Sequence, residues 1–392
     1  MTPRQKIKFS VFTLEGLNSF GTVFYFTYLY FLMRDAYGFD NKRNLALASA
    51  LGLIYAVAAT QTGKFAQRRG YFSALKCGYT IMALGLIAGL FMKFALGQIV
   101  TSAAVSIGMC FIWPTLEAFA ADGEVADGLP RVVGIYNVVW AATAALAFFT
   151  GGAFIHRFSY NIIFILPLII MLGQLALTFW MQNHSTEMAR QAVHAADVAK
   201  AEPHLPDSPH AKTFLKMALL ANPFAYIAIQ TLIAVIPGIA AKFHMSTMLS
   251  GFVCSFWYFV RMSAFVVLWK WEAWHYRLRW LVAAFICLIV SFAAILMSPN
   301  LIVLVVAQIF FGGAIGLLYY SSLFYSMDAS DTRGEHGGIH EAAIGFGNCA
   351  GPAVGALSLQ FLPQYANSGA VAVSVLLLCG FGGLLAIWKW AK

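Results

Sequence analysis

Apolar residues fill this chain in long unbroken runs, and the few polar residues inside them recur at helical spacing. Runs long enough to cross a bilayer, for which roughly 20 residues are needed, fall at 10–33, 45–62, 72–94, 97–120, 133–155 and 161–181. Six more follow at 217–240, 248–270, 280–297, 300–324, 338–360 and 368–388. The pattern predicts an all-α integral membrane protein of twelve transmembrane helices. The longest hydrophilic interval, 182–216, carries "EPHLPDSPH" and divides the spans six and six. The expected organisation is an N-terminal six-helix bundle over 1–181, a cytoplasmic linker over 182–216 and a C-terminal six-helix bundle over 217–392.

The two halves align weakly when Gly134 is set on Gly338, an offset that also places Asn137 on Glu341 and Gly151 on Gly355. This points to pseudo-symmetric bundles, a plan in which a transporter's substrate site lies between repeats near the midplane. Polar stripes support it. In the first span Glu15, Asn18, Thr22 and Tyr25 are three, four and three apart, and in the fourth Ser102, Ser106, Trp113 and Glu117 share a face. The seventh has Asn222, Tyr226 and Gln230; the tenth has Gln308, Gly312, Tyr319, Ser322 and Ser326. Spans three, six, nine and twelve carry few polar residues. Spans one, four, seven and ten are therefore expected to line something wet, and the other four to face lipid.

Composition agrees. Hydrophobic residues make up 60% of the chain and charged ones 10%, with a mean hydropathy of +0.75, too apolar for a soluble protein of this length to cover with polar surface. The net charge of +9 has a membrane explanation. Of the 25 lysines and arginines, eighteen fall on the side of the N-terminus, six on the other, and Arg261 within a span. The positive-inside bias thus places both termini in the cytoplasm. The basic excess meets anionic lipid, so lipid bilayer and a small-molecule substrate are the expected partners and nucleic acid is not. No cleavable signal peptide is expected, because Glu15 and Asn18 interrupt the first apolar run. The six cysteines all fall in apolar spans with no CxxC pair, which suggests small packing residues.

Between spans two and three the loop reads "GKFAQRRGY". Gly63, Phe65, Ala66, Arg68 and Gly70 match the G-x-L/F-A/S-D-R/K-x-G-R/K pattern of the major facilitator superfamily, which the whole chain resembles. That resemblance implies the twelve-helix two-bundle fold and a central cavity lined by helices one, four, seven and ten. Two positions depart from the pattern: Gln67 replaces the acid and Tyr71 a basic residue. In the superfamily the acid engages the N-terminal end of helix eleven and latches one conformation. Gln67 keeps a hydrogen bond but loses a charge–dipole term of about 0.3 to 1 kcal/mol, so a looser latch is expected here. Gly347, Gly351 and Gly355 give the eleventh span a smooth stripe for close packing. Helix four lacks the intramembrane arginine of many proton-coupled members, and a glycine–proline motif sits on span eleven rather than five. Both departures count against a standard multidrug–proton antiporter.

Ionisable groups inside a membrane are costly, so each is a functional candidate. Arg261, in "YFVRMSAF", lies roughly nine residues, or about 13 Å, from the cytoplasmic end of its span. It cannot lose its proton and needs an anion: a substrate carboxylate, phosphate or sulfonate, or the resident Glu341. Asn18, Tyr25, Trp113, Tyr136, Asn137, Gln230 and Tyr319 complete the expected substrate-binding set. Glu341, Glu15 and Glu117 are the proton-coupling candidates, each with a gating or packing role as its rival. His340, about 100° round the helix from Glu341, suggests an interfacial residue. His336 and His340 lack a third metal ligand, so no metal is expected. Gly63, Gln67, Arg68, Gly70, Arg131 and Pro237 are the expected gate and conformational residues.

These features predict a secondary active transporter of a small organic solute, anionic or zwitterionic, working by alternating access and coupled to protons. It is expected to be a monomer in a bacterial inner membrane, with no cofactor beyond a proton gradient and no enzymatic activity. No GxxxxGKS loop occurs, which argues against direct use of ATP. Efflux of amphipathic or lipid-like compounds, or solute sensing without transport, are the alternatives. Import and export are not distinguished.

Overall fold

The computed structural model describes residues 3–121, 129–192, 210–328 and 333–391, with side chains over 5–121, 131–184, 210–326 and 343–391. Every expected span is helical. In chain order the helices are α1 (Pro3–Tyr37), α2 (Asn41–Arg69), α3 (Tyr71–Phe91), α4 (Ala95–Ala121), α5 (Leu129–Phe158) and α6 (Ile162–Ala192). There follow α7 (Ala211–Lys242), α8 (Thr247–Cys254), α9 (Phe256–Lys270), α10 (Leu278–Leu296), α11 (Leu301–Asp328), α12 (Arg333–Phe361) and α13 (Ser368–Trp390). Among the described residues there is no strand, and ten stretches are long and apolar enough to cross a membrane, α8 and α9 together forming one. Helices satisfy their own backbone groups, which lipid cannot do.

Three differences from the sequence reading have local causes. The eighth span is two helices, interrupted at Ser255, whose hydroxyl donates to the carbonyl of Phe252 at 3.2 Å; side-chain bonds of this kind compete with the helix ladder. Helix α1 begins well before residue 10, because "PRQKIKF" is polar yet helix-compatible after its proline. The interval read as a linker, 182–216, is helical at both ends: α6 continues through "QNHSTEMARQA" to Ala192 and α7 starts at Ala211. Hydropathy marks where a helix leaves the apolar layer, not where it stops.

Helix α1 packs on α4, α5 and α6, and α3 packs on α4 and α6. Among the later elements α7 touches α11, α12 and α13, and α9 and α10 both lie on α11. The two sets meet through α2 with α12 and α7, α5 with α8 and α9, and α1 with α7. Leu84, Ile169, Val290 and Val375, on α3, α6, α10 and α13, are all exposed, which agrees with the expected lipid-facing set. All six cysteines are free.

We call the end where α1 starts the terminal face and the end where it finishes the distal face. Near the distal face the meeting helices touch backbone to backbone: a Cβ on Gly52 of α2 would fall 2.4 Å from the carbonyl carbon of Asn348 on α12. Glycine is the residue that permits such an approach. The stripe of Gly347 and Gly351 lies against the backbone of α7 at Pro223 and Ile227. Arg34, at the end of α1, donates to the carbonyl of Pro237 on α7. Tyr160, between α5 and α6, donates to Asp35; burial, with that carboxylate beside it, pushes the phenol pKa up, so it stays a donor.

Candidate functional site

Between the two sets of helices lies a cavity of about 160 Å³. Helix α1 lines it with Glu15, Thr22, Val23, Phe26 and Thr27; α2 with Leu51, Gly52 and Tyr55; and α4 with Ser106, Met109, Trp113 and Glu117. Helix α5 adds Tyr136 and Trp140, and α7 adds Tyr226, Ile229, Gln230 and Ile233. Tyr258 and Arg261 of α9, Tyr319 of α11, and Ile344 and Asn348 of α12 complete the wall. Eight helices contribute, including the four whose polar stripes pointed to it.

Arg261 is 3% exposed. Its guanidinium carbon lies 4.5 Å from the ring centre of Trp140, 4.9 Å from Tyr319, 5.5 Å from Phe265 and 5.9 Å from Tyr226. These rings come from α5, α11, α9 and α7 and pack on one another, Trp140 on Phe265 and Tyr319 at 5.6 and 5.7 Å. Local sequence builds the cage: Phe265 is one turn from Arg261, and Gly312 and Gly316 let α11 lie directly on α9, bringing Tyr319 to the guanidinium. Trp140 is fixed by its indole N–H, which donates to Asn137 Oδ1 at 2.9 Å.

The rings offset part of the cost of burying a cation, at about 0.5–2 kcal/mol for each well-placed face. Nε and Nη2 of Arg261 have no hydrogen-bond partner among the described residues. Those two atoms form one edge of the guanidinium, the fork that takes two oxygens of a carboxylate or phosphate.

Acids stand in the same cavity. Glu15, 1% exposed, accepts a hydrogen bond from Ser19 at 2.8 Å on Oε1 and from Tyr136 at 2.9 Å on Oε2. Tyr136 therefore ties α1 to α5 one turn from Trp140, and so connects the acid to the cage around Arg261. Glu117 lies in the wall on α4. Gln230 donates to Tyr30 at 3.1 Å, joining α7 to α1 on the distal side.

Of the expected substrate set, Arg261, Trp113, Tyr136, Gln230 and Tyr319 line the cavity, as do Glu15 and Glu117 from the proton set. Asn18, Tyr25 and Asn137 are buried in the surrounding helix packing instead. At about 100° per residue, Asn18 and Tyr25 sit roughly 60–80° round α1 from Glu15, enough to turn them from the cavity; Tyr25 packs edge-on against Phe26 and Phe164. Asn137 lies about 100° round α5 from Tyr136. Glu341 falls in α12, but its side chain, like that of His340, lies outside the described residues.

The gate candidates divide. Gly70 has φ of 84°, a conformation glycine adopts without strain, and it ends α2 and starts α3. Tyr71, in place of a basic residue, stacks on Phe119 of α4 at 5.2 Å. Gln67, Arg68 and Arg131 are exposed, Gly63 meets open space, and Pro237 receives Arg34. Sequence reasoning missed the apolar wall of Val23, Phe26, Leu51, Met109, Ile233 and Ile344 and the fourth ring, Phe265. The i+4 relation to Arg261 was the available signal for that ring.

The chain belongs to the major facilitator superfamily, whose family model matches residues 11–352. It has the fold of solved transporters of that kind. The human organic anion transporter MFSD10 (TETRAN) superposes with a TM-score of 0.71 at 13% identity, over 98% of this chain and 100% of that one. A mutant of the peptide transporter POT in complex with sulfate gives 0.71 at 15%, over 98% and 94%. A D-xylose–proton symporter gives 0.70 at 13%, over 97% of each chain. No curated protein sequence matches the chain. Family and fold point to a membrane transporter of a small molecule rather than an enzyme.

Proposed function

We propose that this protein is a proton-coupled secondary transporter of a small organic anion, working by alternating access. The observation that carries this reading is Arg261: a permanent cation, almost wholly buried, in the wall of a central cavity, with Nε and Nη2 unbonded among the described residues. A buried cation with no anion among the described residues costs several kcal/mol, and a cargo that brings its own negative charge recovers that cost only while it is bound. The fold neighbours include an organic anion transporter and a proton symporter, which supports the reading without fixing it.

In this scheme residues 1–181 and 217–392 act as two six-helix bundles joined by 182–216, twelve spans in all, rocking about the cavity. Distal opening breaks the Arg34–Pro237 and Gln230–Tyr30 bonds and separates α2 from α12. Glu15 is the leading proton carrier, with Glu117 and Glu341 as its rivals, and Tyr136 links its protonation to the cage. Bacterial inner membrane, cytoplasmic termini and a monomer complete the proposal. The test is pH inside proteoliposomes on addition of organic anions, cations and sugars, for the native protein and Glu15→Gln. Anion-dependent proton entry that Glu15→Gln abolishes supports the scheme; anion binding without flux would falsify it in favour of a sensor.

A further inference from the structure

The uncharged polar groups of the cavity wall have a chemistry of their own. We infer that the cargo is a polyhydroxylated single-ring compound, which with the negative charge proposed above makes it a uronic acid or a hydroxylated cyclic carboxylate. The charge rests on the proposed anion transport, and the hydroxyls rest on other residues.

Asn348 of α12 and Trp113 of α4 are half-buried in the wall, and neither side chain makes a hydrogen bond among the described residues. Gln230 of α7 spends its amide N–H on Tyr30 and leaves Oε1 unbonded. The hydroxyls of Thr27 on α1 and Ser106 on α4 line the same space and are likewise unbonded among the described residues. Unlike Nε and Nη2 of Arg261, none of these polar atoms is sealed in the packing. Their partners must enter the cavity.

Thr27, Gln230, Ser106 and Asn348 gather towards the distal face. The bond from Gln230 to Tyr30 sets it one turn from Thr27 on α1. Asn348 lies against Gly52 of α2. Cys110, one turn beyond Ser106, donates to the carbonyl of Tyr55, one turn beyond Gly52, at 3.7 Å. A collar of hydrogen-bonding groups thus forms from both sets of helices. Glu15 and Thr27 are about 18 Å apart along α1 at 1.5 Å per residue, so the collar lies at the opposite end of the cavity from that acid.

Donors and acceptors are mixed in these groups. A carboxylate only accepts and an ammonium only donates, whereas a hydroxyl does both through one atom. Asn348 offers a carbonyl and an amide N–H, Trp113 an N–H and Gln230 a carbonyl, so either charged group alone would leave some of them unanswered. Neighbouring hydroxyls can meet them all. Phe26, Met109, Ile229 and Ile344 share the wall, and the C–H faces of a saturated ring suit them. The cavity holds about 160 Å³, and an apolar cavity of about 150 Å³ engineered in another protein takes up one benzene molecule. One ring fits, and two linked rings overfill it.

Equilibrium binding of radiolabelled D-glucuronate to the full chain in nanodiscs tests this, with cyclohexanecarboxylate as the competitor that keeps ring and charge but has no hydroxyl. Its competition is expected to be weaker than that of unlabelled glucuronate by about 30-fold or more. Glucuronate carrying a second sugar at its anomeric carbon is expected not to compete. Asn348→Leu removes the amide at similar volume, and the preference for glucuronate over cyclohexanecarboxylate, each labelled in turn, should fall by about 10-fold or more. Thr27→Val, which is isosteric, should lower the same preference by about 3- to 10-fold. The readout is a ratio, so a variant that weakens both ligands through a disturbed fold does not imitate this result.

If cyclohexanecarboxylate or the disaccharide equals glucuronate, or both variants keep the native preference, this proposal falls while the anion reading stands. If glucose competes as well as glucuronate, the hydroxyls stand and the anion reading falls. Binding of none of these compounds overturns the hydroxylated cargo outright.

Discussion

The helices before residue 193 and those after residue 210 bring opposite charges to the cavity among the described residues. The first set supplies Glu15 and Glu117, and the second supplies Arg261. Even the bonding differs in kind. Glu15 is held by hydroxyl donors from its own side, whereas Arg261 is held by ring faces, one of them Trp140 from the opposite set. What the two sets keep in common is less visible: Asn18 of α1 and Asn222 of α7 are related by the same offset that sets Gly134 on Gly338. Both are fully buried, with neither amide atom bonded among the described residues. If the two sets are repeats, this pair is an interior polar position they share while their cavity-facing charges differ.

The largest expected effect breaks the charge contrast outright. Arg261→Gln removes the cation and its fork, and anion binding should fall by about 100-fold or more, which is about 2.8 kcal/mol at 1.4 per factor of ten. Its thermal midpoint should be no lower than that of the native protein, because a buried charge with no anion among the described residues is removed. Parallel binding and melting measurements check both halves of this statement. Retained anion affinity would mean that the acids, not the arginine, organise the site.

Next comes the acid. Glu15→Gln keeps one acceptor oxygen but turns the other into a donor, leaving Ser19 or Tyr136 without its acceptor at a cost of about 1 kcal/mol. Anion exchange across proteoliposomes should change by no more than about 3-fold, while accumulation driven by an imposed pH gradient should disappear. Persistent accumulation would move the proton to Glu117 or Glu341. The two substitutions together ask whether cargo and proton are carried by opposite sets of helices.

Much of this was legible in the sequence for a definite reason. A helix of 3.6 residues per turn converts spacing into direction, so Glu15, Thr22, Trp113, Glu117, Gln230 and Tyr319 could be placed on a common cavity from their intervals alone. The same rule explains what was missed. A stripe read as one face is wide enough to hide a turn of 60–80°, and Asn18 and Tyr25 fell on the far side of it. The cage around Arg261 joins α5, α7, α9 and α11, and nothing in any one segment reveals that Trp140 lies over a guanidinium more than a hundred residues away. The break at Ser255 was equally hidden, because apolar residues continue across it without interruption.

The shared feature of the two sets offers a smaller test. Asn18→Leu and Asn222→Leu each replace an unbonded buried amide by an apolar side chain of similar volume. Each should raise stability by about 1 kcal/mol, and the two gains should be equal and additive because the sites are independent. Thermal melts of the single and double variants read this directly. A loss in one and a gain in the other would show that only one asparagine has a bonding partner in another conformation, and the symmetry would then be formal only.

The smallest effect concerns Gln67, exposed in the last turn of α2. Helix α2 packs along α12, and a carboxylate at this position would face the positive end of a helix dipole if the two helix ends meet there. Gln67→Asp should then favour the conformation that joins the terminal-face ends of α2 and α12 by about 0.3–1 kcal/mol, or roughly 2- to 5-fold in population. Labelling rates of a cysteine introduced into the cavity wall at Thr27, compared with and without the substitution in a cysteine-free background, measure that shift. A real charge–dipole effect must shrink as salt is raised from about 0.01 to 1 M, since the screening length falls from about 30 to 3 Å. A shift indifferent to salt would place its origin in packing and leave Gln67 as competent a latch as the acid it replaces.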